Sequence, residues 1–310
     1  MIDFMIFIVS MGALIWGADF VIKEAERIAL HYGISEFIIG ATLIALGTSL
    51  PEMAASVAAS LKGQSQIAVA NVIGSNIMNI SLVLGLVFLI ASKITPHRDL
   101  FFKDSAWLLF PAIIFPLMVI DGSLSRLDGF LLFAMMGAYL LFLLQSGGEE
   151  ELAEVDETLK REPFGWPKSL GLLLVGFVLV VVGADYAIES AANIARGFGV
   201  SEWIIGLLLV AFGTSLPELV VSIQAARAGK ADMSIGNIIG SNMANTSVVL
   251  GSAAMTRPLP IDLGASSFDI FLMMGVTLML VFITANRLYA KASGVMLLIV
   301  LAIFLQHAIG

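Results

Sequence analysis

Ten long apolar runs occupy nearly the whole chain and leave no room for a soluble domain. A helix that crosses the hydrocarbon core of a bilayer needs about 20 mostly apolar residues. The mean hydropathy of +0.98, with 59% hydrophobic and 13% charged residues, is typical of multi-pass membrane proteins. The sequence therefore predicts an all-α membrane protein with ten transmembrane helices. The runs lie near residues 2–24, 36–60, 67–91, 105–120, 126–145, 169–194, 202–225, 233–255, 264–285 and 290–307.

The chain also contains an internal duplication. Residues 17–85 align with residues 183–251 without a gap, and 34 of the 69 positions are identical. Each half would hold five helices, and an odd number makes the second copy enter the membrane in the opposite orientation. Such inverted repeats are common in secondary transporters, whose sites lie near the midplane between the halves. We predict a first five-helix repeat at 1–145, an acidic cytoplasmic linker at 146–168 and a second, inverted five-helix repeat at 169–310.

The distribution of lysine and arginine predicts the orientation in the membrane. Positively charged residues accumulate in short cytoplasmic loops. With the N-terminus outside, twelve of the 16 Lys and Arg residues fall on the inner side and four on the outer side. The pattern favours a multi-pass protein of the cell membrane with extracellular N- and C-termini and a cytoplasmic linker.

Each repeat carries one glutamate in strongly apolar surroundings, at the end of the motif Gly-Thr-Ser-Leu-Pro-Glu. Glu52 ends the first copy and Glu218 ends the second. A charge near the centre of a membrane helix costs about 2.5–3.5 kcal/mol on insertion scales. The apolar parts of these helices contain no Lys or Arg that could compensate this charge. We predict that the two carboxylates together hold a cation.

Helical spacing puts further oxygen atoms beside each glutamate. Residues at i, i+3, i+4 and i+7 share one face of a helix. Pro51 and Pro217 lack an amide hydrogen, so they should kink their helices and free the carbonyls of Gly47 and Gly213. The third helix of each repeat offers a second polar face at i+4 steps. The faces comprise Ala45, Thr48, Ser49 and Glu52 with Asn71, Ser75 and Asn79, and Ala211, Thr214, Ser215 and Glu218 with Asn237, Ser241 and Asn245.

The predicted ligand atoms are all oxygens, which favours hard cations. Ca²⁺ takes about six to eight oxygen ligands, and two carboxylates match its charge, whereas Mg²⁺ seldom uses all-protein sites. Zinc and copper draw on His or Cys, but the chain has no Cys and its three His residues are not spaced as a ligand pair. Hydrogen bonding between helices is the alternative role for the asparagines, and we assign Asn76 and Asn242 to it.

The paired Gly-Thr-Ser-Leu-Pro-Glu and Gly-Ser-Asn motifs resemble the two alpha repeats of the cation/calcium exchanger superfamily, most closely its prokaryotic sodium/calcium exchangers. The resemblance implies an inverted five-plus-five fold with cation positions clustered around two shared central ligands, Glu52 and Glu218. It implies that Thr48 and Thr214 coordinate Ca²⁺ through their carbonyl oxygens. It further implies two outer sodium positions, one lined by Ala45, Ser49 and Ser75 and the other by Ala211, Ser215 and Ser241. Asn79 and Asn245 would border the centre of the site.

One position departs from the family pattern. The sodium/calcium branch commonly carries aspartate where this chain has Asn245. The predicted site therefore has two formal negative charges. Two charges match one Ca²⁺, but three Na⁺ ions would leave the site one charge positive.

These observations favour a secondary active antiporter that exchanges Ca²⁺ for Na⁺ by alternating access, because both ions would compete for the same carboxylates. An H⁺/Ca²⁺ antiporter is the alternative, since buried carboxylates can also carry protons. A passive channel fits less well, because channels usually surround an axial pore with several subunits.

We expect no enzymatic activity. An intramembrane hydrolase with Ser49 or Ser215 as nucleophile would need a base, and neither His nor Lys lies near these serines in the sequence. The expected transported ions are Ca²⁺ and Na⁺, with no cofactor. The lipid bilayer is the expected environment, and we expect neither nucleic acid nor an obligatory protein partner.

Overall fold

The computed structural model describes residues 2–91, 94, 96–146, 164–199 and 213–309, which are almost entirely helical. An antiparallel pair of two-residue strands, β1 (Ser123–Leu124) and β2 (Leu259–Pro260), joins two loops. Three sequence-based predictions lie outside the described residues. They concern Ala211, most of the acidic linker and the first part of the predicted seventh helix.

The first half of the chain forms helices joined by short turns. Two of the connections between consecutive helices are π-helical segments. Segment π1 (Gly40–Ile44) connects α2 to α3, and π2 (Asn79–Leu84) connects α5 to α6. The helices are α1 (Ile2–Tyr32), α2 (Glu36–Ile39), α3 (Ala45–Thr48), α4 (Leu50–Leu61), α5 (Ser65–Met78), α6 (Gly85–Ile90), α7 (Leu100–Met118) and α8 (Arg126–Ser146).

The second half repeats this organisation in its described part. Segment π3 (Asn245–Val249) starts 166 residues after π2 and again interrupts a helix at an asparagine. The helices are α9 (Trp166–Gly197), α10 (Leu216–Arg227), α11 (Ala231–Ala244), α12 (Leu250–Thr256), α13 (Leu263–Ala285) and α14 (Lys291–Ile309).

In the described part of the chain, seven helices are long and apolar enough to cross a membrane. An eighth is added if the bent unit from Glu36 to Leu61 counts as one span. The seven spans are Ile2–Tyr32, Ser65–Ile90, Leu100–Met118, Arg126–Ser146, Trp166–Gly197, Leu263–Ala285 and Lys291–Ala308.

The predicted proline kink is present in the first repeat. The helical segments 36–48 and 50–61 are inclined to each other by 45°. The break falls at Ser49, whose φ of −83° and ψ of 6° are not helical, and Pro51 lies in the first turn of α4. Ser215 has nearly the same backbone angles, −85° and 1°, before α10. Each break thus leaves a serine and a glutamate beside irregular backbone.

Helices α1 and α9 cross at very short distance because both have glycine at the crossing. A Cβ added to Gly17 would lie 2.7 Å from the carbonyl oxygen of Gly176, and one added to Gly183 would lie 3.0 Å from the carbonyl oxygen of Ser10. These two contacts are related by the 166-residue offset of the duplication. Small residues of this kind allow membrane helices to approach closely.

Helix α11 lies at the centre of the bundle, where Asp232 to Ala244 are all buried. Its Gly236 and Gly240 pack directly on the backbone of Phe37 and Ala41. A Cβ on Gly240 would lie 2.6 Å from the carbonyl carbon of Ala41. No larger residue fits there unless the two helices separate.

We therefore expect Gly240→Ala to destabilise the protein by about 1–3 kcal/mol, the usual cost of overpacking. The melting temperature of the detergent-solubilised protein measures this effect. Gly171→Ala is the matched control, because a Cβ at Gly171 meets nothing within 4 Å. Alanine is also the better helix former, so the control should melt at the same temperature or slightly higher. Equal melting temperatures for Gly240→Ala and the unchanged protein would contradict the close approach of α11 to Ala41.

Candidate cation site

The two motif glutamates lie side by side in the interior. Glu52 lies in the first turn of α4 and Glu218 in the first turn of α10, and both side chains are completely buried. The charges of the two carboxylates repel each other across the site. Bringing two buried acids together is unfavourable unless a cation or protons neutralise them.

Hydroxyl groups of both repeats surround the two glutamates. Ser49 donates a hydrogen bond from Oγ to Oε1 of Glu218 over 3.2 Å. Thr48 and Ser241 also lie near the Glu218 carboxylate, and Thr214 lies near that of Glu52. The site is therefore shared between the repeats, and neither repeat completes it alone.

Two asparagines support the glutamate-bearing helices in equivalent ways. Asn71 donates from Nδ2 to Oγ of Ser56 over 2.9 Å, and Asn237 donates to Oγ of Ser222 over the same distance. Asn71 also reaches the backbone carbonyl of Glu52 at 3.3 Å. Sequence reasoning missed the two serines, although both are among the positions that are identical in the duplication.

The Oδ1 atoms of these asparagines accept from the motif threonines. The Thr48 Oγ1 to Asn237 Oδ1 distance and the Thr214 Oγ1 to Asn71 Oδ1 distance are both 3.4 Å. Ser75 lies 3.4 Å from the same Thr214 hydroxyl. The hydrogen bonds again cross from one repeat to the other.

Asn76 and Asn242 connect helices, as the sequence predicts. Asn76 donates from Nδ2 to Oγ1 of Thr246 over 2.9 Å, and Asn242 donates to the backbone carbonyl of Asn76 over 3.4 Å. Asn79 donates to Oδ1 of Asn242 over 3.0 Å. This bond directs the amide of Asn79 toward α11.

Several buried polar atoms at the site have no hydrogen-bond partner among the described residues. Buried polar groups are nearly always paired with protein, water or an ion, so this concentration of unpaired oxygens indicates a place for cations or ordered water. The unpaired atoms are Glu52 Oε1 and Oε2, Glu218 Oε2, Ser241 Oγ, Asn79 Oδ1, and Asn245 Oδ1 and Nδ2.

Hydrogen bonds between the repeats connect Thr48, Ser49, Ser75, Thr214 and Glu218 with Asn71 and Asn237. The other sequence-predicted residues are assigned mainly by their burial. Ala45, Thr48, Ser49, Ser75, Asn79, Ser215, Ser241 and Asn245 are all buried, and Thr214 is half-buried. Within the described ranges, no group of three or more His, Cys, Asp or Glu side chains is positioned to hold a metal ion. The charge of the site therefore comes from two carboxylates, and its remaining oxygens are neutral.

A cavity of about 430 Å³ extends from this region along α9. At its inner end it is lined by Thr214, Pro51 and Pro217, and at its outer end by Asn193 and Arg196 near the end of α9. Asn193 also donates to Asp3 near the start of α1. The cavity thus connects the candidate site with the side of the bundle where α1 begins.

The opposite end of α1 is held by buried ion pairs. Lys230 contacts Glu26 of α1 at 2.5 Å and Glu36 of α2 at 2.8 Å. Burial disfavours the charged ammonium, but its hydrogen bonds to the two carboxylates outweigh this effect and raise the pKa of Lys230. The bundle is therefore closed by ion pairs at the end that the cavity does not reach.

These features define a multi-pass helical membrane protein with a buried, oxygen-lined site between the helices that carry Glu52 and Glu218. The family model described as sodium/calcium exchanger protein matches residues 2–145 and 168–310. The chain belongs to this family.

Individual relatives agree with this assignment. The sodium/calcium exchanger MaX1 of Methanosarcina acetivorans is 32% identical, over 98% of this chain and 97% of the relative. The inner membrane protein YrbG of Escherichia coli is 34% identical, over 93% of this chain and 90% of the relative. A solved structure of the sodium-calcium exchanger NCX_Mj, soaked with 10 mM Na⁺ and zero Ca²⁺, superposes with a TM-score of 0.83 at 34% identity, covering 97% of each chain.

Proposed function

We propose that this protein exchanges Ca²⁺ for Na⁺ across the cell membrane by alternating access, with both ions binding in turn between the two glutamates. The observation that carries the proposal is the pair of buried carboxylates with unpaired oxygens. No Lys or Arg forms an ion pair with either carboxylate in the part of the chain that the structure describes. Among the described residues, therefore, no cation neutralises the pair, and bound ions would do so.

In this proposal each group at the site has a distinct role. Glu52 and Glu218 bind every transported cation, and the backbone carbonyls of Thr48 and Thr214 complete the Ca²⁺ position. Two outer positions hold Na⁺, and Asn79 with Asn245 borders the centre. The outer positions comprise Ala45, Ser49 and Ser75, and Ala211, Ser215 and Ser241.

We also propose that ten helices form two inverted five-helix repeats, at 1–145 and 169–310, joined by a cytoplasmic linker at 146–168. Three pairs of equivalent features support this symmetry. They are the hydrogen bonds of Asn71 and Asn237, the helix breaks at Ser49 and Ser215, and the glycine contacts between α1 and α9. The excess of Lys and Arg on one side supports extracellular termini.

Alternating access would use the glycine crossing of α1 and α9. These helices lack the ligand motif, and the family resemblance implies that they slide past the ligand-bearing core. The cavity that ends at Asn193 and Arg196 gives the described conformation an opening to the proposed outer side. The bonds from Lys230 to Glu26 and Glu36 keep the inner side closed, so they must break when the site opens inward.

The competing candidate is an H⁺/Ca²⁺ antiporter. It is favoured by the same unpaired oxygens of Glu52, because a carboxylate without a hydrogen-bond donor accepts protons readily. In it, the two glutamates would release two protons for each Ca²⁺ that binds. Sodium would then be irrelevant to transport.

Calcium uptake into proteoliposomes separates the two candidates. Vesicles loaded with Na⁺ and diluted into Na⁺-free buffer with Ca²⁺, at equal pH on both sides and with the voltage clamped, should accumulate Ca²⁺. Vesicles loaded with K⁺ should not, and an imposed pH gradient without Na⁺ should have no effect. Uptake that ignores Na⁺ and follows the pH gradient would establish the proton mechanism instead.

A further inference from the structure

A second polar cavity, of about 610 Å³, lies where the ends of α6, α7, α13 and α14 meet. None of the residues proposed to bind Ca²⁺ or Na⁺ lines it. Its charged and hydroxyl groups come from the loop before α7, from the end of α13, from the loop that follows α13 and from the first residue of α14. They are His97, Arg98, Asp99, Thr284, Arg287, Tyr289 and Lys291.

Cations predominate among the exposed charged groups of the cavity. Arg98 is compensated by Asp104 through bonds of 2.6 and 3.1 Å, and His97 lies 2.9 Å from Asp232. Arg287 reaches Asp99 only at 3.7 Å. Lys291 has no ion pair within 4.0 Å in the described ranges. Two exposed cations therefore face a single partly exposed carboxylate.

The backbone at Arg287 is unusual. In the described part of the chain, Arg287 is the only residue other than glycine with a positive φ, which is 52°. It occupies the position after α13 that Gly229 occupies after α10, with the same pair of capping hydrogen bonds to the preceding turn. Glycine adopts this left-handed conformation without the penalty that a Cβ imposes. An arginine here is unfavourable for the fold, so its side chain indicates a function.

Apolar side chains accompany these polar groups. Phe88, Ile94 and Leu100 line the cavity, and Leu288, between Arg287 and Tyr289 in the chain, is 40% exposed. Tyr289 also lines the cavity, with its ring centre 6.2 Å from that of Phe88. Burial raises the pKa of Tyr289 to about 12, so its hydroxyl remains a hydrogen-bond donor at neutral pH. Exposed cations beside apolar side chains match a molecule with a phosphate group and hydrocarbon chains.

We propose that this cavity binds the phosphate of an anionic phospholipid, with Arg287 and Lys291 as its ligands. Arginine contacts phosphate oxygens through two parallel N–H groups, and lysine adds a point charge. Basic pockets between membrane helices bind anionic headgroups in this way. The cavity is on the side that the Lys and Arg count assigns to the cytoplasm, where anionic lipids attract basic residues.

The test uses the full-length protein in neutral detergent and measures its melting temperature and, by native mass spectrometry, the lipid it retains. The probes are phosphatidylglycerol, phosphatidylcholine and inorganic phosphate. We expect phosphatidylglycerol to bind and stabilise, phosphatidylcholine to do neither, and the loss of each cation to weaken phosphatidylglycerol binding about fivefold. Stabilisation by inorganic phosphate alone would identify a soluble phosphate as the ligand and overturn the lipid assignment.

Arg287→Gly is the decisive variant because it removes the cation and provides the residue that the backbone favours. It should melt at the same temperature as the unchanged protein or higher in lipid-free detergent, yet retain less phosphatidylglycerol. Lys291→Gln should also retain less, and Lys62→Gln, an exposed lysine away from the cavity, should retain the normal amount. Equal retention by all three variants would overturn the proposal, as would loss of stability in Arg287→Gly.

Discussion

Glu52→Gln or Glu218→Gln is expected to reduce Na⁺-driven Ca²⁺ uptake at least about 100-fold. The amide is nearly isosteric with the carboxylate but carries no charge, so each variant leaves Ca²⁺ with one negative ligand in a buried site. Removing one partner of a buried charge pair costs about 3–5 kcal/mol, which corresponds to about 100-fold or more in ion affinity. Initial rates of uptake into proteoliposomes measure the loss.

The fold of these variants can be checked independently. Without ions, each should be at least as stable as the unchanged protein, because one buried and uncompensated charge is gone. Ca²⁺ should raise the melting temperature of the unchanged protein but not that of the variants, since a ligand stabilises only what it binds. Asp121→Asn, in an exposed loop, should transport normally. Normal exchange by either glutamine variant would refute the site.

Asn245→Asp is expected to lower the Na⁺ concentration needed for half-maximal exchange about tenfold. Asn245 is completely buried, and neither atom of its amide group has a hydrogen-bond partner among the described residues. A third carboxylate there would balance a third Na⁺, and an added charge a few Å from the ions contributes more than about 1.4 kcal/mol even at an effective dielectric constant of about 20. Ca²⁺ efflux measured against external Na⁺ tests this expectation.

The same change at an exposed position provides the control. Asn286 lies at the end of α13 and is solvent-exposed, so Asn286→Asp should leave the Na⁺ dependence unchanged. An unaltered or weaker response of Asn245→Asp to Na⁺ would mean that charge at this position does not limit sodium binding. The two-charge site would then have to bind Na⁺ in another arrangement.

Much of the membrane architecture could be predicted because its causes are local. Hydropathy alone located the helices, and the described spans begin and end within a few residues of most predicted runs. Pro51 predicted the bend of the second helix, because a proline removes a backbone hydrogen bond wherever it stands in a helix. The partner of each tightly packed glycine was not determined by the sequence, since Gly240 contacts the backbone of Ala41 whereas Gly47 contacts the ring of Phe177.

The polar faces of the site could also be predicted, because the helical period determines which residues of one helix lie together. Spacing could not determine which face meets which. Ser49 bonds to Glu218 of the other repeat, and Thr48 to Asn237 of the other repeat. Asp19 of α1 accepts from Gln224 of α10, 205 residues away in the sequence. Such pairs depend on how the helices cross.

The sequence by itself determined that this chain lies in a membrane, that its two halves are copies of each other and that each half contributes one buried acid. Hydrophobicity, repetition and helical period are properties of short segments, so they can be read without coordinates. Only the tertiary structure decided that the two acids lie close enough for their charges to interact, that three of their four carboxylate oxygens lack a hydrogen-bond partner among the described residues, and that Arg287 and Lys291 meet in one cavity. Those facts arise from contacts between residues far apart in the chain, which the packing of the helices creates.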